Sequence, residues 1–244
     1  MSRLFIPIIL FALLNLIACR QSGTDSADIQ RPDTISYRPR LDGIDISSHQ
    51  RYIDWGKVAA NPGLRFVYIK ATEGSLYVSP HYQYNIRQAR QRKLLVGSYH
   101  FMTTTTPIRR QVENFTRVVK ADDQDLIPMI DIEDRGNWTR RQLLDSLALM
   151  TQLLERHYGC RPMIYSSNTF YNQNLSPQFN HYPLYIGRYS GSRPRISWRG
   201  DYTIWQFTET GIMSGFDTYV DQATLNPTRS IDEIRMPTQA TNKP

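Results

Sequence analysis

Three consecutive segments decide the fold: residues 126–133 (Leu-Ile-Pro-Met-Ile-Asp-Ile-Glu), residues 139–158, and residues 162–166 (Pro-Met-Ile-Tyr-Ser). The first is a short apolar run ending in acids, and the third is a short run containing branched and aromatic residues, so both predict strands. Between them, Leu143, Leu147, Met150 and Leu154 fall on one face at helical spacing. Thr139-Arg140-Arg141-Gln142 opens that helix as a capping box, and Gly159 stops it. Strand, long helix, strand in this order is a βα unit, and such units build a parallel sheet.

Working outward, the alternation continues in both directions. Strands are predicted at 43–46, 65–71, 94–101, 184–187 and 202–207, with helices near 55–60, at 80–93 and from 106–107 onward. Polar or aromatic groups stand at the downstream strand ends: Asp45, Glu73, His100, Asp131 with Glu133, Tyr165 and Gln206. A parallel barrel gathers such ends on one rim, and a doubly wound sheet also places polar residues there. No phosphate-cradling glycine loop follows any strand.

Composition sets the outer bounds. The chain has 244 residues, 40% hydrophobic and 21% charged, with 14 Pro, 13 Gly and 2 Cys, which suits one globular domain and excludes disorder, collagen and a disulfide framework. Lys and Arg number 29 against 22 Asp and Glu, a net charge of +7 that favours anionic partners. The arginine-rich runs at 87–93 and 193–199 carry no recognised nucleic-acid motif, so no nucleic-acid partner is expected.

At the N-terminus, Arg3 precedes an apolar run from Leu4 to Leu14, the layout of an export signal too short for a comfortable membrane span. Leu16-Ile17-Ala18-Cys19 resembles the bacterial lipobox, whose cysteine is lipidated. Residues 1–18 are therefore expected to be a lipoprotein signal peptide, with lipidation at Cys19 and a flexible tether over 19–40. The globular domain is expected at 41–235 and a frayed tail at 236–244. The protein is expected as an exported bacterial lipoprotein, membrane-anchored in the cell envelope through its N-terminal lipid. Cys160 is then the remaining thiol and reads as a small buried hydrophobe.

Asp131 and Glu133 share one face of their strand, with Cα atoms about 6.6 Å apart at two strand rises. Two acids so close cannot both ionise freely, and the result is a protonated acid beside a carboxylate, the pair that glycosidic cleavage uses. A cation site or pairing with arginine would use the same triplet. His49, His81, His100, His157 and His181 show no metal-ligand spacing and no nucleophile elbow is present, so neither a metal nor a serine nucleophile is expected.

Several segments in order resemble glycoside hydrolase family 25, the bacterial and phage N-acetylmuramidases called lysozymes. They are Gly43-Ile44-Asp45-Ile46-Ser47 with Gln50, Tyr68-Ile69-Lys70-Ala71-Thr72-Glu73-Gly74, Gly97-Ser98-Tyr99-His100-Phe101, Asp131-Ile132-Glu133, Ile204-Trp205-Gln206-Phe207 and Val220-Asp221. The resemblance implies a single irregular TIM-like β/α barrel with a parallel strand core and an atypical C-terminal section. It implies cleavage of the β-1,4 bond between N-acetylmuramic acid and N-acetylglucosamine in peptidoglycan glycan strands. Carried over by motif, Glu133 is the proton donor, Asp131 its acidic partner, and Asp45 and Asp221 complete the acid group. Glu73, Lys70, Tyr99, Tyr165, Trp205 and Gln206 fall where the family lines its groove. Departures lie at Gln222-Ala223 after Val220-Asp221, which makes Asp217 a fallback for Asp221, and at Tyr185, where a tryptophan is common. Arg188 near the rim is a candidate partner for a peptide-stem or lactyl carboxylate. Two routes stay open for the second half of the reaction: a carboxylate activating water, or attack by the substrate's own N-acetyl oxygen. Neither needs a cofactor. The competing reading is a non-catalytic peptidoglycan-binding lipoprotein on the same scaffold.

Overall fold

Residues that alternate between two faces of a strand must find two different partners, and here both faces are buried. The computed structural model describes residues 39–237. The expected signal peptide, Cys19, most of the tether and the end of the tail lie outside the described residues. Among those described, the strands are β1 (Gly43–Ile46), β2 (Phe66–Glu73), β3 (Tyr77–Val78), β4 (Leu95–Phe101), β5 (Met129–Asp131), β6 (Met163–Ser167), β7 (Leu184–Gly187), β8 (Ile204–Gly211) and β9 (Val220–Leu225). The main helices are α1 (Trp55–Ala59), α2 (Tyr82–Gln91), α3 (Ile108–Val118) and α4 (Arg140–Tyr158).

Eight of the strands close into a barrel in the order β1-β2-β4-β5-β6-β7-β8-β9, with β9 meeting β1 again and β3 hanging as a hairpin from the end of β2. Neighbours from β1 round to β8 are parallel, whereas β9 runs antiparallel to both β8 and β1. This is the TIM-like barrel with an atypical last section that the sequence leads one to expect. The closing strand β9 adds to the strands that the sequence predicts, its apolar signal being diluted by Asp221, Gln222 and Thr224.

The α4 boundaries follow local chemistry. Thr139 Oγ1 accepts from the N–H of Gln142, the Gln142 side chain reaches back to the Thr139 N–H at 2.8 Å, and Gly159 ends the helix in the left-handed region with φ 71°. Such a cap contributes about 1 kcal/mol. Leu143, Leu147, Met150 and Leu154 are fully buried against the sheet. The strand predicted over 126–133 is shorter, Met129–Asp131, because Leu126 and Ile127 pair instead with Arg235 and Ile234 at the lower end of the barrel.

Outward-facing strand residues such as Val67, Ile69, Val96, Ile130, Ile164 and Ile186 pack under the helices. Inward-facing residues such as Phe66, Tyr68, Met129, Met163, Tyr185 and Ile204 fill the barrel. The interior uses a large-beside-small rule across the ladder: Gly43 stands opposite Phe66 and Gly97 opposite Tyr68. A Cβ on Gly43 would lie 2.1 Å from the Phe66 ring, and one on Gly97 would lie 2.3 Å from the Tyr68 ring. Glycine is required there so that an aromatic ring can lie flat across the neighbouring strand. Cys160 sits half-buried at the lower end, its Sγ 3.8 Å from Met236 Sδ, and burial pushes its thiol up to about 11. It is an unreactive small apolar group at neutral pH.

Candidate active site

Each inward-facing row changes character at the upper end of its strand. Going up, Gly43 gives way to Asp45, Tyr68 to Lys70, Gly97 to Tyr99, Met129 to Asp131, Met163 to Tyr165 and Ile204 to Gln206. Period two on the strand carries these side chains to the barrel mouth. β9 contributes from the opposite direction: being antiparallel, it begins at that rim, and Asp221 pairs in register with Asp45. The result is an open pocket of about 220 Å³ lined by Asp45, Lys70, Tyr99, Asp131, Glu133, Tyr165, Gln206 and Asp221. Glu133 stands where the chain leaves the sheet, just after the Ile132 N–H bonds the Tyr165 carbonyl at 3.1 Å. Ser47, His49, Phe101, Met129, Tyr189 and Glu209 complete the lining.

Three of the expected groove residues lie elsewhere. Trp205 is one residue out of phase with Gln206, so its ring faces the helix layer, 1% exposed, and its Nε1–H donates to the Arg188 carbonyl at 2.8 Å. Arg188 does not reach the pocket. Its guanidinium donates to Asn168 Oδ1 at 2.8 Å and to Ser192 Oγ and O at 2.9 and 3.1 Å, bracing its own loop. Glu73 holds Lys70 from outside, with Nζ and Oε2 at 2.8 Å, while Lys70 also lies 4.6 Å from the Phe101 ring centroid. That pair steadies the Lys70 ammonium at the rim. His100 also points outward, bonded to Thr72 Oγ1 at 2.7 Å and Gln111 Oε1 at 3.1 Å, and burial pushes its imidazole down to about 4, so it is a neutral packing group.

The floor is a hydrogen-bonded cluster around Asp45. Tyr185 donates its hydroxyl to Asp45 Oδ2 at 2.6 Å, and Gln206 Nε2 donates to Oδ1 and Oδ2 at 3.1 and 2.9 Å. Gln206 Oε1 in turn accepts the hydroxyls of Tyr165 and Tyr189 at 2.7 and 2.6 Å. Tyr185 was legible as an inward position by its alternation with Leu184. Tyr189 follows β7 in phase with Tyr185 and Gly187, whereas Glu209 lies on β8 beyond the register shift after Gln206, which breaks the period of two.

Four carboxyl groups around one small pocket raise one another's proton affinity. Burial lifts Asp131 well above the usual carboxylate range, and the nearby charges of Glu133 and Asp45 add to it. Burial also raises Glu133, with the charge of Asp45 adding and a hydrogen bond from Asp131 opposing. The Asp131–Glu133 pair therefore holds a proton more tightly than free carboxyl groups do. Asp221 is pushed up to about 9, first by burial and then by the charge of Asp45. Asp45 is itself raised by burial, against which the Tyr185 and Gln206 bonds favour its charged form. One oxygen of Asp131, Oδ1, is buried without a hydrogen-bond partner. A buried acceptor left unmatched costs roughly 1–3 kcal/mol, so it marks a place where a donor is wanted. Among the described residues, no cluster of three or more His, Cys, Asp or Glu is arranged to hold a metal ion.

A barrel with acids at the upper strand ends defines a class, the carbohydrate-cleaving barrel enzymes. The sequence profile of glycosyl hydrolases family 25 matches residues 44–216, and the chain belongs to that family and is a glycoside hydrolase. It is 33% identical over 202 residues to the Escherichia coli K12 protein described as uncharacterized protein YegX, covering 80% of this chain and 72% of that one. It is 28% identical over 199 residues to the N,O-diacetylmuramidase of a Chalaropsis species, covering 74% of this chain and 94% of the relative. The family 25 glycosyl hydrolase structure from Bacillus anthracis superposes with a TM-score of 0.72 at 28% identity, covering 80% of this chain and 94% of that chain.

Proposed function

We propose that this protein is an N-acetylmuramidase, cleaving the β-1,4 bond between N-acetylmuramic acid and N-acetylglucosamine in peptidoglycan. The observation that carries the reading is the convergence of Asp45, Asp131, Glu133 and Asp221 on one open pocket. In this reading Glu133 protonates the leaving oxygen. It is the most solvent-reachable of the four acids, and burial raises its proton affinity above that of a free carboxyl group. Asp45, whose charged form the Tyr185 and Gln206 bonds favour against burial, stabilises the positive charge that develops on the sugar.

For the second half, the unpartnered Oδ1 of Asp131 favours the substrate-assisted route. It is an acceptor suited to the N–H of a 2-acetamido group, whose oxygen then attacks the anomeric carbon and no protein nucleophile is consumed. The arrangement predicts retention of configuration, which NMR of the first-formed anomer measures.

The decisive experiment is mass spectrometry of the sugar ends released from purified peptidoglycan. Reducing-end muramic acid is expected. Reducing-end glucosamine would make the enzyme a glucosaminidase, and no muropeptide release would leave a binding module. Lipidation at Cys19 is part of the same proposal, with the domain tethered to a membrane of the cell envelope. The lipobox Leu16-Ile17-Ala18-Cys19 supports it, and a Cys19→Ser variant recovered in the soluble instead of the membrane fraction tests it.

A further inference from the structure

We propose that Tyr189, a half-exposed tyrosine on the loop after β7, is a positioning residue that acts through Gln206 to hold the Asp45 carboxylate in place and charged. The inference deepens the active-site reading of the pocket and rests on it. The Gln206 side chain is fixed from both ends. Its Oε1 receives two hydroxyl protons, from Tyr165 at 2.7 Å and Tyr189 at 2.6 Å, so its amide N–H groups must face Asp45, whose oxygens lie 2.9 and 3.1 Å away. Turned over, it would set an oxygen against a carboxylate and an NH₂ against two hydroxyls. Two tyrosines thus determine which way one amide points, and the amide determines what Asp45 meets.

Two further features converge on the same point. A Cβ added to Gly187 would lie 2.9 Å from the Tyr165 hydroxyl, 3.1 Å from Gln206 Oε1 and 3.4 Å from the Tyr189 hydroxyl, so the bare glycine leaves the space in which these three oxygens meet. The loop carrying Tyr189 is pinned on both sides of it. The Arg188 carbonyl accepts from Trp205 Nε1 at 2.8 Å, and the Arg188 guanidinium grips Asn168 and Ser192. Arg188 and Trp205, absent from the pocket, thereby find their use as the frame that aims Tyr189.

The surroundings of Asp45 show why neutral donors matter. Asp131 and Glu133 at the end of β5 and Glu209 from β8 crowd further carboxyl groups into the same pocket, while Asp221 from β9, its own carboxyl pushed up to about 9, faces Asp45 as a hydrogen-bond partner that favours its charge. Tyr99 from β4 and His49 on the turn after β1 also line the pocket, and among its described lining residues Lys70 from β2 is the one lysine or arginine, already held by Glu73. Donors supplied by Tyr185, Gln206 and Asp221 are therefore what favours an anion at Asp45.

The test is Tyr189→Phe, which keeps the ring and removes one donor. We expect kcat to fall about threefold to tenfold, the range for one lost hydrogen bond to a buried group, with KM for glycan strands within twofold. We also expect the acidic limb of kcat/KM to move to higher pH, since the Asp45 anion is less well held. A tyrosine that only stacks on sugar would leave Phe unaltered, so wild-type kcat and pH profile in this variant overturn the proposal. In a Gln206→Leu background, Tyr189→Phe should add nothing further, because its route to Asp45 is gone; full additivity also overturns it. If Gln206→Leu does not fold, the single variant decides alone. Product identity reports separately on which bond is cut, and the pH limb reports on Tyr189.

Discussion

The lower and upper halves of the barrel interior are made from the same strands and the same inward-facing rows, yet they obey opposite rules. Below, Phe66, Tyr68, Met163 and Ile204 fill space against Gly43, Gly97 and Ala223, and the Tyr68 hydroxyl is satisfied by donating to the Ile127 carbonyl at 3.1 Å. Two residues further up, Asp45, Asp131, Gln206 and Asp221 crowd acceptors and raised acids together, and Asp131 Oδ1 is left without a donor. The lower half stabilises, and the upper half is held in a state it would not adopt alone. A TIM-like barrel separates the two along one axis, so acids can be forced together without loosening the core.

The comparison can be broken most severely at Glu133. Glu133→Gln should lose at least about a hundredfold in rate, the lower bound typical of general acid catalysis, while unfolding at the wild-type temperature. Near-native lysis of peptidoglycan by this variant would remove Glu133 from the role. A second change should separate charge from packing through pH. Asp221 has its folded-state pKa raised to about 9 from about 4, so the folded protein binds the extra proton. Its contribution to stability is present below about pH 4 and is lost as pH rises toward about 9. Asp221→Asn should therefore flatten the decline of Tm over that window and raise Tm at pH 8. An unchanged slope would mean the acids at the rim do not destabilise the fold.

The smallest effect belongs to the lower half. Gly97→Ala should cost about 1–3 kcal/mol by forcing the Tyr68 ring off its seat, with kcat per folded molecule unchanged. Chemical denaturation and active-site-normalised turnover check it. A large fall in turnover at full stability would show that the two halves are coupled more tightly than their geometry indicates.

Much of this architecture was legible in the chain. The capping box at Thr139 and the stop at Gly159 bound α4 as expected, and the spacing of Asp131 and Glu133 announced the acid pair. Two expected groove residues lie outside the pocket for different reasons. Trp205 sits beside Gln206 in sequence, but a strand sends neighbours to opposite faces, so a conspicuous aromatic next to a site residue is turned away from the site. Arg188 braces its own loop, and a charged rim residue looks the same in sequence whether it does that or reaches for substrate. Tyr189 continues the Tyr185–Gly187 alternation past the end of β7, and Glu209 reaches the pocket through the irregular register of β8.

By itself, then, the order of residues determined the alternation of strand and helix and the acid pair, which depend on spacings within ten or twenty residues, and the family, which depends on short motifs kept in order along the domain. Only the closed barrel decided that antiparallel β9 would bring Asp221 beside Asp45 across 176 positions of chain, and that two tyrosines would set the direction of one amide. Those relations depend on distance through space, which closure of the sheet creates and no local pattern encodes.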